Sequence, residues 1–400
     1  MSDFLSVDEA AARLGVKPAT LYAYVSRGLL QRTRGPHGRS QFARADIDRL
    51  ATSGRPRGVD VTEIAVHSAI TSIDGDHIYF RGRDALDLAD ERRFEEVAEW
   101  LWLGQFPDGL AWAADARAVE IGRRVQDALP AETLPLDRLR IAVTSLAPSD
   151  TMRYETGREA VVVTGRRLIS SLVDCLPVNG AAGGETSPLA ARLWRRLARR
   201  APRPDQVRIL DAALVILVDY ELSLSTLASR LAASILADPY AVISVGLSAL
   251  GGPLHAVASL AAEDLLAEVG ESGDAAVVIG ERLRRGDRLP GFGHRLHPQG
   301  DPRAAFLLGR LERAERPGTR MEAVRAVLAA TRERGLPPPN VDFALAALAH
   351  ISDMARGASE AVFAVARTAG WIAHALEAYA LGAEIRPRAI YVGTSTGPER

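Results

Sequence analysis

Four short stretches place ionisable side chains beside glycines, prolines or helix starts. In Leu250-Gly251-Gly252-Pro253-Leu254-His255 the proline opens a helix and the imidazole falls in its first turn. A helix N-terminus disfavours a protonated ring, so His255 is suited to donate a neutral hydrogen bond to a developing oxyanion. In Pro290-Gly291-Phe292-Gly293-His294-Arg295 the glycines shape a loop that leaves His294 open to a ligand, and Asp301-Pro302-Arg303 then starts a helix with Arg303 at its N-terminus. An imidazole that polarises a carbonyl, next to a guanidinium that grips a carboxylate at two points, suits the anion of an oxo acid. Pro339-Asn340-Val341-Asp342 offers Asn340 as an N-cap and Asp342 as a carboxylate beside Phe343. Apolar neighbours would raise the Asp342 pKa towards that of a general base, while the helix terminus would lower it. The fourth stretch runs from Arg367 to His374, and Arg386 and Arg388 follow it. Singly each signal is weak: His255 alone is more often a structural cap, Asp342 reads as part of a capped helix start, and the arginines of the last stretch as surface charges.

Helices must position these groups. Phe94 to Leu103, Asp205 to Val218, Leu227 to Leu236, Leu260 to Val269, Ala304 to Ala314 and Phe343 to Ala349 are rich in Ala and Leu, several with apolar spacings of three and four. Thr71 to Phe80 reads as a hairpin turned at Asp74-Gly75, and Val173 to Pro188, with Gly180, Gly183 and Gly184, as a loop. No fixed-period repeat is present, which disfavours a solenoid.

The chain has 49 Lys+Arg against 50 Asp+Glu, a net charge of -1, so no global field draws it to nucleic acid or an anionic membrane. Residues 1–58 nonetheless carry ten Lys/Arg against five acids, a net of +5 that leaves -6 for the remainder. That asymmetry, and the small, Gly- and Pro-containing run 51–58, set a linker there. Ser6-Val7-Asp8-Glu9 is a capping box for a helix reaching about Leu14. Gly15 then turns the chain, and Lys17-Pro18 opens a second helix with Thr20, Tyr22, Tyr24 and Arg27. A basic loop, Arg32 to Arg39, suits phosphate contact, and Phe42 precedes a short helix from about Ala45 to Leu50. The run resembles the winged helix-turn-helix of MerR and excisionase-type regulators, which implies DNA binding through residues 1–50, in pairs on a palindromic site. A solvated or docking hairpin is the plainer reading.

The single cysteine, Cys175, excludes an internal disulfide and a cysteine zinc cluster, and fits a reducing, cytoplasmic setting. Apolar runs such as Ala212 to Val218 are far short of a membrane span. The 47% hydrophobic composition of 400 residues is ample for a large core.

In their order and spacing the four stretches resemble citrate synthase. The resemblance runs from about Ala65 to Gly393 and includes SIDG (72–75), EVAEWLWLGQFP (96–107), SALGGPLH (248–255), LPGFGHR (289–295), DPRA (301–304), PNVDF (339–343), ARTAGWIAH (366–374) and RPRAIYVG (386–393). It implies a mainly α fold with a large helical domain, 59–255 and 349–400, and a small one, 256–348, that closes over a cleft, behind the helix-turn-helix domain. It implies that Asp342 takes a methyl proton from acetyl-CoA, His255 binds the thioester oxygen, and His294 polarises the oxaloacetate carbonyl. Arg303 and Arg367 would hold the oxaloacetate carboxylates, with Arg386 supplied across a homodimer interface. No metal or redox cofactor is implied.

The family pattern Asp-His-Glu-x-Asn-x-Ser-Thr, whose His binds oxaloacetate, here reads Asp219-Tyr220-Glu221-Leu222-Ser223-Leu224-Ser225-Thr226. Tyr220 can donate one hydrogen bond but cannot carry imidazolium charge, which redirects or weakens oxaloacetate recognition. His297-Pro298 stands where Tyr and a basic residue are common, and Ala344-Leu345-Ala346 where many relatives have Tyr-Ser-Gly. The sequence therefore carries a condensing enzyme on oxaloacetate with acetyl-CoA, with two alternatives. One is a 2-methylcitrate synthase-like enzyme using another acyl-CoA; the other is a DNA-binding sensor of acyl-CoA or an oxo acid built from a synthase.

Overall fold

The computed structural model describes residues 4–14, 21, 25, 30, 32–34, 40–44, 46–47, 66–107, 112–179, 187–252, 257–314, 319–382 and 384–386. The chain forms two compact units, 1–66 and 67–400.

In the first unit, β1 (Phe4–Ser6) leads into α1 (Val7–Leu14), and β2 (Thr33–Arg34) pairs with β3 (Ser40–Ala43) in an antiparallel sheet of order β1-β3-β2. The capping box forms: Glu9 N–H donates to Ser6 Oγ at 3.3 Å, and Ser6 N–H donates to Glu9 Oε2 at 2.8 Å. Leu5, Ala10, Ala11, Leu21, Leu30, Phe42 and Ile47 form its core. Leu21 and Val25, four residues apart, are both helical, while Thr20, Tyr22, Tyr24 and Arg27 lie outside the described residues. Part of the expected basic loop is strand instead. Thr33 and Arg34 pair with Gln41 and Ser40, so the loop's base is a two-stranded wing, held because β3 buries Phe42. The last helical segment already includes Arg44, ahead of the expected Ala45.

The second unit opens with β4 (Thr71–Asp74), β5 (His77–Phe80) and β6 (Arg83–Asp84), the expected hairpin with one further strand. Helices follow: α2 (Ala85–Glu91), α3 (Phe94–Leu103), α4 (Ala116–Asp127), α5 (Pro135–Leu146), α6 (Arg158–Asp174), α7 (Leu189–Leu197), α8 (Pro204–Ile216), α9 (Leu224–Ser234) and α10 (Pro239–Leu250). After them come α11 (Val257–Ser272), α12 (Ala275–Arg284), α13 (Pro302–Ala314), α14 (Thr319–Glu333), α15 (Val341–Ile351) and α16 (Ala358–Leu381). The six expected helices are all present. The expected loop from Val173 starts later, at Cys175, because Leu172 and Val173 complete the buried face of α6.

The centre is α16, whose Ala-rich surface lets α3, α5, α6, α8, α9, α10, α11 and α15 pack directly against it. Gly370 sets the closest approach: a Cβ there would lie 2.2 Å from the Val218 carbonyl and 3.0 Å from an Asp219 oxygen. The chain leaving α8 is thereby pressed against α16 beside Arg367. On the other side α15 packs on α11, α13 and α16, so the segments bearing Asp342, Arg303 and Arg367 share one packed core.

Two buried carboxylates secure helix starts in this core: Asp211 accepts from Phe94 N–H at 3.0 Å, and Glu95 from Leu189 N–H at 2.7 Å. Burial, then the neighbouring Glu95, pushes the Asp211 carboxyl from 3.8 up to about 7. The fold therefore prefers protonated Asp211. This contribution is fully present below pH 3.8, falls as pH rises towards 7 and is flat above. Asp211→Asn keeps the acceptor for Phe94 and removes the charge. Thermal unfolding from pH 5 to 8 should show the variant losing less stability than the parent, by up to about 1.4 kcal/mol per pH unit; parallel curves would contradict the assignment.

Candidate active site

The loop bearing His294 and the turn that opens α15 are stitched together by backbone. Gly293 N–H donates to Pro338 O at 2.8 Å and Asn340 N–H to Gly291 O at 2.9 Å. The Asn340 amide donates to Gly293 O at 2.9 Å and, as N-cap, accepts from Asp342 N–H at 3.0 Å. Gly291, with φ of 80°, lies so close over Phe343 that a Cβ would meet its backbone at 3.0 Å. His294 and Asp342 are thus held by one short ladder.

His294 Nδ1 accepts from the Leu296 and His297 N–H groups, each at 3.2 Å, so the ring proton of the neutral form sits on Nε2. Burial, the Arg303 guanidinium and His297 push its pKa from 6.5 down to about 4 against the pull of Asp301. The result is a neutral N–H donor at neutral pH.

Arg303 is buried and held by Asp301 through two parallel bonds, Nε to Oδ1 at 3.0 Å and Nη2 to Oδ2 at 2.9 Å. Asp301 Oδ2 also accepts from Val341 N–H at 3.0 Å, at the start of the helix that carries Asp342. The Arg303 guanidinium lies over the Tyr220 ring, 4.0 Å from its centroid, and Tyr220 meets the His294 ring edge-on at 5.6 Å. Tyr220 donates no charge to this cluster: burial pushes its phenol up to about 12.

Arg367 enters from α16. Its Nη1 lies 3.6 Å from Asp219 Oδ1, beyond hydrogen-bond reach, and its buried Nε and Nη1 have no hydrogen-bond partner among the described residues. Burial pulls this guanidinium down to about 10, countered by Asp219, while Arg303 adds to the fall. Asp219 is fixed from behind by Thr71 Oγ1 at 2.5 Å and His374 Nε2 at 3.3 Å; His374 Nδ1 in turn accepts from Arg230 at 2.9 Å. Two buried arginines, Arg303 paired with Asp301 and Arg367 with unpartnered donors, beside a neutral N–H donor make a receptor for a carbonyl flanked by carboxylates.

Asp342 accepts from Ser259 Oγ at 2.5 Å. Burial raises its pKa, helped by Asp301 and opposed by the Ser259 hydroxyl and Arg303. A carboxylate with raised pKa, set by the same Asp301 that holds Arg303, is suited to take a weakly acidic proton from a carbon acid.

Of the residues singled out from sequence, His294, Arg303, Asp342, Arg367 and Tyr220 thus cluster around Asp301 and Asp219. His255 lies outside the described residues. Arg386 is exposed and joins no hydrogen bond or ion pair among the described residues. Sequence reasoning did not single out Asp301, Asp219, Ser259 or Asp76. Asp301 carried a signal: an acid two residues before an arginine at a helix start, where it accepts from Arg303 N–H at 3.0 Å. Ser259 and Asp76 carried none. Among the described residues no three His, Cys, Asp or Glu side chains converge as a metal site.

The family model for the citrate synthase C-terminal domain matches residues 59–388, and a helix-turn-helix domain model matches residues 4–55. Citrate synthase 2 of Bacillus subtilis is 30% identical over 364 residues, covering 84% of this chain and 95% of that protein. The 2-methylcitrate synthase of Shewanella oneidensis is 26% identical, covering 88% and 97%. Among solved structures, citrate synthase of Thermoplasma acidophilum in a ternary complex with carboxymethyl coenzyme A and oxaloacetate aligns with a TM-score of 0.66 at 23% identity, covering 86% and 97%. That last likeness speaks to fold.

The tautomer and charge of His294 are directly measurable. Nitrogen-15 NMR of its ring should show the Nε2–H form with no titration between pH 8 and 5.5; a midpoint near the ordinary 6.5 would contradict the site as described.

Proposed function

Because this chain belongs to the citrate synthase family and is an enzyme of the citrate synthase type, we propose that its 67–400 unit condenses acetyl-CoA with oxaloacetate to give citrate and CoA. The observation that carries the reading is the pair of buried arginines, Arg303 stacked on Tyr220 beside neutral His294 and Arg367 beside Asp219. Oxaloacetate's carboxylates take the guanidiniums, with Arg386 of a second copy completing the grip, and its C2 carbonyl takes the His294 Nε2–H. Asp342 removes a methyl proton from acetyl-CoA while His255 hydrogen-bonds the thioester oxygen, giving an enol or enolate. Its carbon attacks C2, the new alkoxide is protonated, and water then cleaves the citryl thioester to citrate and CoA. The proton removed is weakly acidic, so base, neutral electrophile and water exclusion act together. Residues 256–348 form the small domain that closes on the large one, 59–255 with 349–400.

The homodimer draws support from an apolar stripe left open on neighbouring helices: Leu224 on α9, Ile235 and Leu236 just beyond it, and Val245 on α10 are all exposed. The single cysteine, buried at Cys175, supports a reducing, cytoplasmic setting. No helix among the described residues is long and apolar enough to cross a membrane.

A second function draws on the first unit, where the helix-turn-helix match and the +5 charge of residues 1–58 favour DNA binding. Binding of the full chain to duplex DNA should weaken steeply between 50 and 200 mM salt, by the logic of counterion release. No binding at the lower salt would remove this reading.

Release of CoA thiol from acetyl-CoA by the purified chain tests the enzyme reading. Release should require oxaloacetate and fall by about 10²- to 10⁴-fold in Asp342→Ala. Faster release with propionyl-CoA would favour 2-methylcitrate chemistry; none with any acyl-CoA or 2-oxo acid would contradict an enzyme.

A further inference from the structure

Tyr220, His297 and Asp76 form a hydrogen-bonded line drawn from three distant parts of the chain: the segment after α8, the loop before α13 and the β4–β5 turn. Tyr220 Oη lies 2.9 Å from His297 Nε2, and His297 Nδ1 lies 3.3 Å from Asp76 Oδ1. His297 is fully buried, whereas the Asp76 side chain is 68% exposed and keeps contact with solvent. A carboxylate only accepts, so Nδ1 carries a proton and the neutral ring accepts at Nε2 from the Tyr220 hydroxyl. In that state the phenol's one proton is committed to His297, and only lone pairs remain for a ligand. Protonated at both nitrogens, His297 donates to Tyr220 as well as to Asp76, and the phenolic O–H is released to donate elsewhere.

The ligand side of Tyr220 carries the Arg303 guanidinium stacked on its ring, with neutral His294 edge-on. A dianionic oxo acid therefore brings the negative charge that favours the second state. Resting on the oxo-acid reading of this site, the geometry points to His297 as a positioning residue that switches Tyr220 from acceptor to donor when a short dicarboxylic 2-oxo acid is bound, with Asp76 stabilising the imidazolium. The positive charge that Tyr220 cannot carry is supplied one side chain behind it, and the added proton comes from water. The groups facing His297 are Asp76 from the hairpin, Tyr220 from the α8 side and His294 from its own loop, whose ring stacks on it at 5.1 Å; Arg303 and Asp301 of the α13 start act on it through Tyr220 and His294.

The test is the KM for oxaloacetate as a function of pH, with the KM for acetyl-CoA and kcat followed alongside. In the parent chain the oxaloacetate KM should rise with pH. His297→Gln should flatten that profile and raise KM at the acid end by roughly three- to tenfold, with the acetyl-CoA KM unchanged. Tyr220→Phe should flatten it equally, and the double variant should be no worse than either single one. Asp76→Ala, a change at a side chain that is 68% exposed, should raise the oxaloacetate KM at the acid end because the cation loses its partner. A parent-like profile in His297→Gln or Tyr220→Phe, or additive losses in the double variant, overturns the inference alone. No oxaloacetate-dependent turnover in the parent chain overturns the functional reading and the inference with it.

Discussion

One buried carboxylate organises the site. Asp301 grips Arg303 at two points and accepts the Val341 N–H that opens the helix bearing Asp342. A buried guanidinium without a partner is costly, and removing one member of such a pair costs about 3 to 5 kcal/mol. The pairing therefore fixes Arg303 in one place, and the third bond ties that place to the position of Asp342. The proposed anion grip, Arg303, and the proposed base, Asp342, are set by the same atoms, so neither drifts relative to the other.

The remaining groups are arranged to present cationic donors to the cleft without making it self-repelling. Asp219 lies behind Arg367 at 3.6 Å, close enough to keep it charged and too far to occupy its donors. His294 stays neutral because it is buried beside Arg303, and Tyr220 presents an aromatic face that a guanidinium favours. A protonated imidazole in the place of Tyr220 would stand against Arg303; here the imidazole is one step back, at His297, against the Asp76 carboxylate.

Much of this was legible in the sequence. The helices were visible because Ala- and Leu-rich windows with apolar spacing of three and four have few other uses, and Asn340 was readable as a cap because its side chain has a local task two residues on. His294, Arg303, Asp342 and Arg367 stood out by their neighbours, and family likeness supplied their order. Asp301 was hidden in plain view within Asp-Pro-Arg, since its main partner is the next-but-one residue. Asp219, Ser259 and Asp76 act across separations of 83 to 221 residues, and no local pattern reports such contacts. The resemblance implied a wing in the first unit, but its strand at Thr33–Arg34 was read from the residues as loop because two-residue strands carry almost no periodicity.

The claim that one carboxylate sets both grip and base is tested by Asp301→Ala, which removes the pair with Arg303 and the acceptor for Val341 at once. Steady-state kinetics should show the oxaloacetate KM rising and kcat falling together, in a chain whose thermal unfolding remains cooperative. A variant in which either parameter stays at the parent value would contradict the claim, since grip and base would then be set independently.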